Sequence, residues 1–198
     1  EIGVRLVGSE MCIRDRIWTI WSYQRSINML SELEKGLGYV FRDKALLTNA
    51  LTHSSYANEN RDRGIHDNER LEFLGDSILG FVVADYLYRN FPGKPEGELT
   101  RIRALLVCED SLHEVAQRLE LGKYLKLGNG EESCGGRTRP SILADATEAV
   151  FAAVYLDGGI SAASALIHRV LLDTEREEVA EEKRRDYKTI LQELSLIH

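Results

Sequence analysis

The stretch Asn68-Glu69-Arg70-Leu71-Glu72-Phe73-Leu74-Gly75-Asp76-Ser77 decides how the chain is read. On a helix it aligns Glu69, Glu72 and Asp76 at i, i+3 and i+7 within an otherwise apolar run, because residues at those spacings share a face. Leu71, Leu74, Ile78 and Val82 repeat at the same spacing and predict a long helix from about Asn68 to Arg89, which Phe91-Pro92-Gly93 ends. A row of like charges beside a core face points to a cation.

A second pair of acids lies downstream in Leu143-Ala144-Asp145-Ala146-Thr147-Glu148-Ala149, one helical turn apart and flanked by small residues. Pro140 suits the first turn of a helix running to about Asp157, Gly158-Gly159 is its stop, and a last helix follows from about Ser161. Acids at i and i+3 or i+4 ordinarily belong to surface salt-bridge faces. Here the Glu72/Asp76 stripe continues into Leu79, Gly80 and Val83, and the Asp145/Glu148 stripe into Ala149 and Ala152. Both pairs therefore sit at the rim of a packed helix interface. Two such helices facing each other make a four-carboxylate cage whose members repel one another unless a cation is present.

Elsewhere the pattern is helical almost throughout. Ser31 with Glu34, and Ser111 with Glu114, have capping-box spacing. No segment alternates convincingly with period two, so the expected fold class is all-α. A chain of 198 residues with 43% hydrophobic content can bury one sizeable core. The net charge of −7 argues against a uniformly basic nucleic-acid binder, but it counts acids that a bound cation would neutralise, so binding of phosphate stays open. Cys12, Cys108 and Cys134 have no metal-ligand spacing, and their odd number suits a reduced cytoplasmic protein. No run of about 18 consecutive apolar residues occurs, so no membrane partner is expected.

The signature decapeptide resembles that of the ribonuclease III family, endonucleases of double-stranded RNA. The resemblance runs roughly from Leu30 to Val170 and includes Ala50-Leu51-Thr52-His53-Ser54, Glu96-Gly97-Glu98-Leu99-Thr100-Arg101-Ile102-Arg103 and Ser141-Ile142-Leu143-Ala144-Asp145. It implies an all-α catalytic domain over 28–173, assembled as a two-fold homodimer that cuts both strands and leaves 5′-phosphate and 3′-hydroxyl ends. Around that domain, 17–27 reads as an N-terminal extension and 174–185 as a charged linker or helix end. Residues 186–193 resemble the start of a double-stranded-RNA-binding domain, too short to fold as one. Residues 1–16 and 194–198 fit none of this; Gly8 to Arg16 resembles translated adapter sequence, and both ends are expected to be non-native.

Residue by residue, the resemblance makes Glu72, Asp145 and Glu148 metal ligands, with Asp76 and Glu148 catalytic. Magnesium is the implied ion, and manganese is accepted as another taker of hard oxygen ligands; no small-molecule cofactor is implied. Glu69 and Glu96 are accessory acids, Glu96 one that the resemblance allows to reach the cleft from the partner subunit. Their plainer readings are an ion pair from Glu69 to Arg70 or Arg103, and for Glu96 a charge favoured by a helix N-terminus. Phe73 is implied as a knob entering a second subunit, the plainer reading being a core aromatic. Arg101, Arg103, Arg137 and Arg139 are weak candidates for the RNA backbone, the last two flanking a Gly-rich loop that starts at Gly128. His53 reads as structural, because two metal ions already supply hydroxide.

Three functions are compatible with these residues. A magnesium-dependent endoribonuclease of RNA processing leads. A catalytically silent RNA-binding or dimerisation module is opposed by the presence of all four acids. A hydrolase of small phosphates lacks a His-Asp pair or a Walker loop.

Overall fold

The structure, a computed structural model, describes residues 29–173. The readings of 1–16, 17–27, 174–185, 186–193 and 194–198 fall outside the described residues. The chain divides after Val40 into two compact units. In the first, helix α1 spans 29–37 and closes with a left-handed Gly38 at φ 59°. Gly38 N–H donates to the Lys35 carbonyl at 3.1 Å and Tyr39 N–H to the Glu34 carbonyl at 3.1 Å, the paired bonds of a Schellman cap. Ser31 is already inside the helix, so the expected capping box at Ser31 is not formed.

The second unit begins with α2 (Lys44–Ala50), capped by the Asp43 carboxylate accepting from Ala45 N–H at 2.9 Å. Helix α3 (Ser54–Glu59) follows, and a 3-10 turn over Arg61–Arg63 ends at Gly64, φ 63°. The loop leading to the signature helix is pinned to the end of α2. Asn49 Nδ2 donates to the carbonyls of His66 (3.0 Å) and Asp67 (2.6 Å), and buried Asn68 donates back to the Ala50 carbonyl at 3.2 Å.

That helix, α4, runs over Glu69–Asn90, within a residue of expectation at each end. Its buried stripe is Leu71, Gly75, Ile78, Leu79, Val82, Val83 and Leu87. Leu74, expected on the stripe, is only half-buried, and Gly75 takes the innermost place instead. Helices α5 (Glu96–Leu106) and α6 (Glu109–Arg118) come next. The expected capping box at Ser111 is displaced. The helix starts after Cys108, and the Ser111 hydroxyl donates at 2.9 Å to the Leu105 carbonyl, left open at the end of α5.

A 3-10 turn (Leu121–Lys123), the short α7 (Asn129–Ser133) and a second 3-10 turn (Gly136–Thr138) lead into α8, Pro140–Ile167. Pro140 opens α8, where its missing N–H forfeits nothing. Gly159 interrupts it at φ 78°, ψ −179°, where the sequence placed a stop, and the last segment ends in a π-turn over His168–Leu172. Among the described residues there is no strand, only an isolated bridge between Thr52 and Lys126. The expected all-α class is the observed one.

Helix α8 is the axis of this unit. It packs most extensively on α4, then on α6 and α2. Phe151 and the alanines at 146, 149, 152 and 153 are fully buried. Length and apolarity would let Pro140–Leu172 pass for a membrane span, a match that the continuous-run reading of the sequence did not raise. Its apolar face is the core face of this unit.

Gly75 shows how close the α4–α8 crossing is. A Cβ built there would stand 2.0 Å from the Glu148 carbonyl oxygen, so the constraint is space and not conformation. Gly75→Ala is expected to push the helices apart and destabilise the fold by about 3 kcal/mol. The melting temperature should fall by roughly 6–12 °C, taking about 2–4 °C per kcal/mol for a chain of this size; a melt indistinguishable from the parent would contradict this packing.

Candidate functional site

The Gly75 contact also sets the site, because Glu72 and Asp76 flank Gly75 on α4 and Asp145 and Glu148 stand on the apposed turn of α8. Leu79, Val83, Ala149 and Ala152, reached by continuing the two acid stripes, are all fully buried. The acids thus lie at the rim of the interface, as the pattern predicts. Glu72, Asp145 and Glu148 are half-buried and Asp76 is exposed.

Their electrostatics show convergence. Burial pushes the Glu148 carboxyl from the ordinary 4.5 up to about 8, with Asp76, Glu72 and Asp145 adding repulsion in that order. Glu72 is raised by burial first, then by Asp145, Glu69 and Asp76. Asp145 is raised by burial, lowered in part by His53 and raised again by Glu109. Among the described residues no side-chain donor and no Lys or Arg meets any of the four carboxylates. Acids held together for structure alone are normally paired or hydrogen-bonded.

The expected four-carboxylate cage is more open than foreseen. As placed, no three His, Cys, Asp or Glu side chains among the described residues make a ready ligand set. A magnesium ion that retains several waters needs only a few protein oxygens. An all-carboxylate donor set, three of its members partly desolvated and none paired with Lys or Arg, fits a hard divalent cation.

Other candidates are placed variously. Glu69 is exposed at the first position of α4 and acts on Glu72, and it forms no ion pair with Arg70 or Arg103. Glu96 is not brought to the acids. It opens α5 after Pro95, accepts from Thr100 Oγ1 at 2.7 Å, and lines an open pocket of about 300 Å³ with Ala84, Leu87, Tyr88 and Arg103. Arg101 and Arg103 are exposed on α5. Arg137 is committed within the protein: Nε donates to Glu132 at 2.5 Å and Nη1 to the carbonyls of Gly122 (2.8 Å) and Leu125 (2.9 Å). Arg139 pairs with Glu131 at 2.6 Å. The Gly-rich segment is accordingly a short helix and a turn braced by these two arginines. Phe73 is 78% exposed and is no core aromatic.

Sequence reasoning missed Gly75, although a residue without a side chain between two acids was a signal. It also missed Glu109, whose approach to Asp145 depends on how α6 packs on α8.

Fold and site together define a helical domain with a cleft lined by four carboxylates at the α4–α8 crossing. Residues 43–174 match the family described as Ribonuclease-III-like. The chain is similar to Ribonuclease 3 of Clostridium perfringens, 54% identical over 170 residues that cover 86% of this chain and 70% of that protein. Against Ribonuclease 3 of Pelotomaculum thermopropionicum it is 53% identical over 165 residues, 83% of this chain and 68% of that one. The nuclease domain of ribonuclease III from Campylobacter jejuni superposes with a TM-score of 0.68 at 40% identity, covering 75% of this chain and 96% of that one. This chain belongs to the ribonuclease-III-like family.

The raised Glu148 carboxyl has a stability consequence with a definite sign. Between the ordinary 4.5 and about 8 the folded state binds the extra proton, so its contribution is full below about pH 4.5 and is lost as pH rises through about 8. Glu148→Gln should therefore melt higher than the parent at pH 8 in chelator, by roughly 2–4 °C once solvent screening is allowed for. At pH 5 the two should melt together; equal melts at both pH values would show that burial and the neighbouring acids do not raise the Glu148 carboxyl.

Proposed function

We propose that the chain is an endoribonuclease that hydrolyses double-stranded RNA with bound divalent cations, in the maturation of ribosomal, messenger or small RNA in the cytoplasm. One observation carries this reading: four acids converge at the α4–α8 crossing with no Lys or Arg paired to any of them among the described residues. The family and the Ribonuclease 3 relatives supply the reaction class.

In this reading Glu72, Asp145 and Glu148 hold Mg2+, with Mn2+ a substitute. The metal supplies an activated water and neutralises charge on the phosphorus oxygens and the leaving oxygen. Asp76, more open to solvent than the other three, orients the scissile phosphate and the waters around it. Glu148, the most strongly desolvated, keeps a hard oxygen at the floor of the cleft. Glu69 and Glu96 are accessory acids. The products carry 5′-phosphate and 3′-hydroxyl ends. Arg101 and Arg103, exposed on α5, are better placed for RNA phosphates than Arg137 and Arg139, and recognition follows the A-form shape and 2′-hydroxyls of the duplex.

A second copy of the chain completes the arrangement. Phe73 (78% exposed), Phe81 (60%) and Tyr88 (75%) leave one side of α4 apolar and uncovered. The Campylobacter jejuni nuclease domain has a region involved in dimer formation. Glu96, which lines a pocket with Tyr88 on this side of the molecule, would in a two-fold dimer through α4 serve the cleft of the partner subunit.

A long perfect RNA duplex should be cut to short 5′-phosphorylated fragments with magnesium and remain intact with chelator. Glu148→Gln should lose about 10³-fold or more of the rate, the loss of several kcal/mol of metal-borne stabilisation. A duplex that stays whole with magnesium but still shifts on a gel would support a silent RNA-binding module instead. For the dimer, Phe73→Ala should shift sedimentation toward the monomer without lowering the melting temperature of the monomeric species, because Phe73 lies outside the core.

A further inference from the structure

An asparagine at the head of a helix ordinarily spends its side chain on the first free N–H groups. Asn68, which precedes Glu69 at the head of α4, does not. It is 3% exposed, its backbone has already turned to φ −92°, ψ −3°, and its side chain makes no cap bond to the helix. Instead Nδ2 donates at 3.2 Å to the carbonyl of Ala50, the last residue of α2. A buried amide that could have capped α4 links two helices.

A second asparagine braces the link. Asn49, beside Ala50 on α2, donates from Nδ2 to the carbonyls of His66 at 3.0 Å and Asp67 at 2.6 Å, so the residues leading into Asn68 are held by the same end of α2. Asp67 passes the restraint on, its carboxylate accepting from Glu69 N–H at 3.3 Å. Asn68 passes it on more directly, because its carbonyl accepts from Glu72 N–H at 2.8 Å. The end of α2 is itself fixed: Leu47 and Ala50 are fully buried, and α2 packs on α8, the helix of Asp145 and Glu148. Glu72 therefore lies between two fixed points, Asn68 one turn before it and Gly75 one turn after it. The Gly75 contact sets how closely α4 approaches α8, and the asparagine link sets where the first turn of α4 stands.

We propose that Asn68 is a positioning residue for the cation site: by tying the head of α4 to Ala50, with Asn49 as its brace, it holds Glu72 where its carboxylate serves the same ion as Asp145 and Glu148. The assignment rests on the reading of those three acids as metal ligands. A hard cation that keeps several of its waters takes few protein oxygens, so the placement of each one weighs on affinity. Amides bonded to carbonyls supply that placement without adding charge to an acidic cleft.

Asn68→Ser keeps a side chain suited to capping α4 but too short to hold Ala50. Asn49→Ala removes the brace from a half-buried position, where folding is less at risk. Arg118→Ala is the control, since it deletes another link from a side chain to a distant carbonyl, Arg118 Nη2 to Val170 at 2.6 Å, which joins α6 to the turn after α8. On all four chains three quantities are measured: the melting temperature, Mn2+ affinity by calorimetry without RNA, and the Mg2+ concentration that half-saturates cleavage of a perfect duplex. Both asparagine variants should bind Mn2+ about tenfold more weakly and need correspondingly more Mg2+, with kcat and KM close to the parent's once Mg2+ saturates. Arg118→Ala should bind Mn2+ as the parent does, even where it melts lower. Parent-like Mn2+ affinity in Asn68→Ser overturns the assignment; if that variant does not fold, Asn49→Ala decides in its place. An equal weakening in Arg118→Ala overturns it too, because the effect would then be a general loosening of the fold. A parent chain that binds no Mn2+ sinks the metal reading of the acids, and the assignment with it.

Discussion

The rest of the structure depends on the contact of Gly75 with the Glu148 backbone. No side chain fits there, so α4 and α8 meet backbone to backbone. The small residues of α8 permit the same approach from the other side, and the alanines at 146, 149, 152 and 153 are fully buried. Close approach of this kind is a packing device, but its position gives it a chemical effect. The residues that flank the contact on each helix are acids, and the contact sets how near the two pairs come.

That geometry works against the stability of the protein. Carboxylates prefer water, and here three are partly withdrawn from it and crowded by one another, so their protonated forms are favoured. The apolar interface below, with Leu79, Val83 and Phe151 fully buried, supplies the stabilisation that holds them there. The site and the core are one interface seen from its two ends.

The surface around the cleft divides its polar groups by task. Arg137 and Arg139 shape the segment before α8, and Asp157 tethers the backbone N–H groups of Arg42 (3.0 Å) and Asp43 (2.9 Å) to α8. For Arg137 and Arg139, candidates for the RNA backbone on sequence alone, these are structural commitments within the protein. What stays open is different: the aromatic side of α4 and the exposed arginines of α5.

Much of this was legible in the residues themselves. Helical periodicity gave the long helices, Pro140 and Gly159 marked a start and a break, and the acid stripes running into Leu79, Val83, Ala149 and Ala152 located the site at the edge of a core. Local signals of this sort depend on spacing along one helix, which a sequence displays directly. Ser31 and Ser111 had the spacing of caps but lie inside helices, because where a helix starts also depends on acceptors offered by other segments. Only the tertiary structure decided that Gly75 and not Leu74 is innermost, that Glu109 and His53 reach Asp145, that Glu96 does not join its own subunit's acids, and that Arg137 turns inward. Those outcomes are distances between residues far apart in the chain, and they are set by how helices pack rather than by the pattern along any one of them.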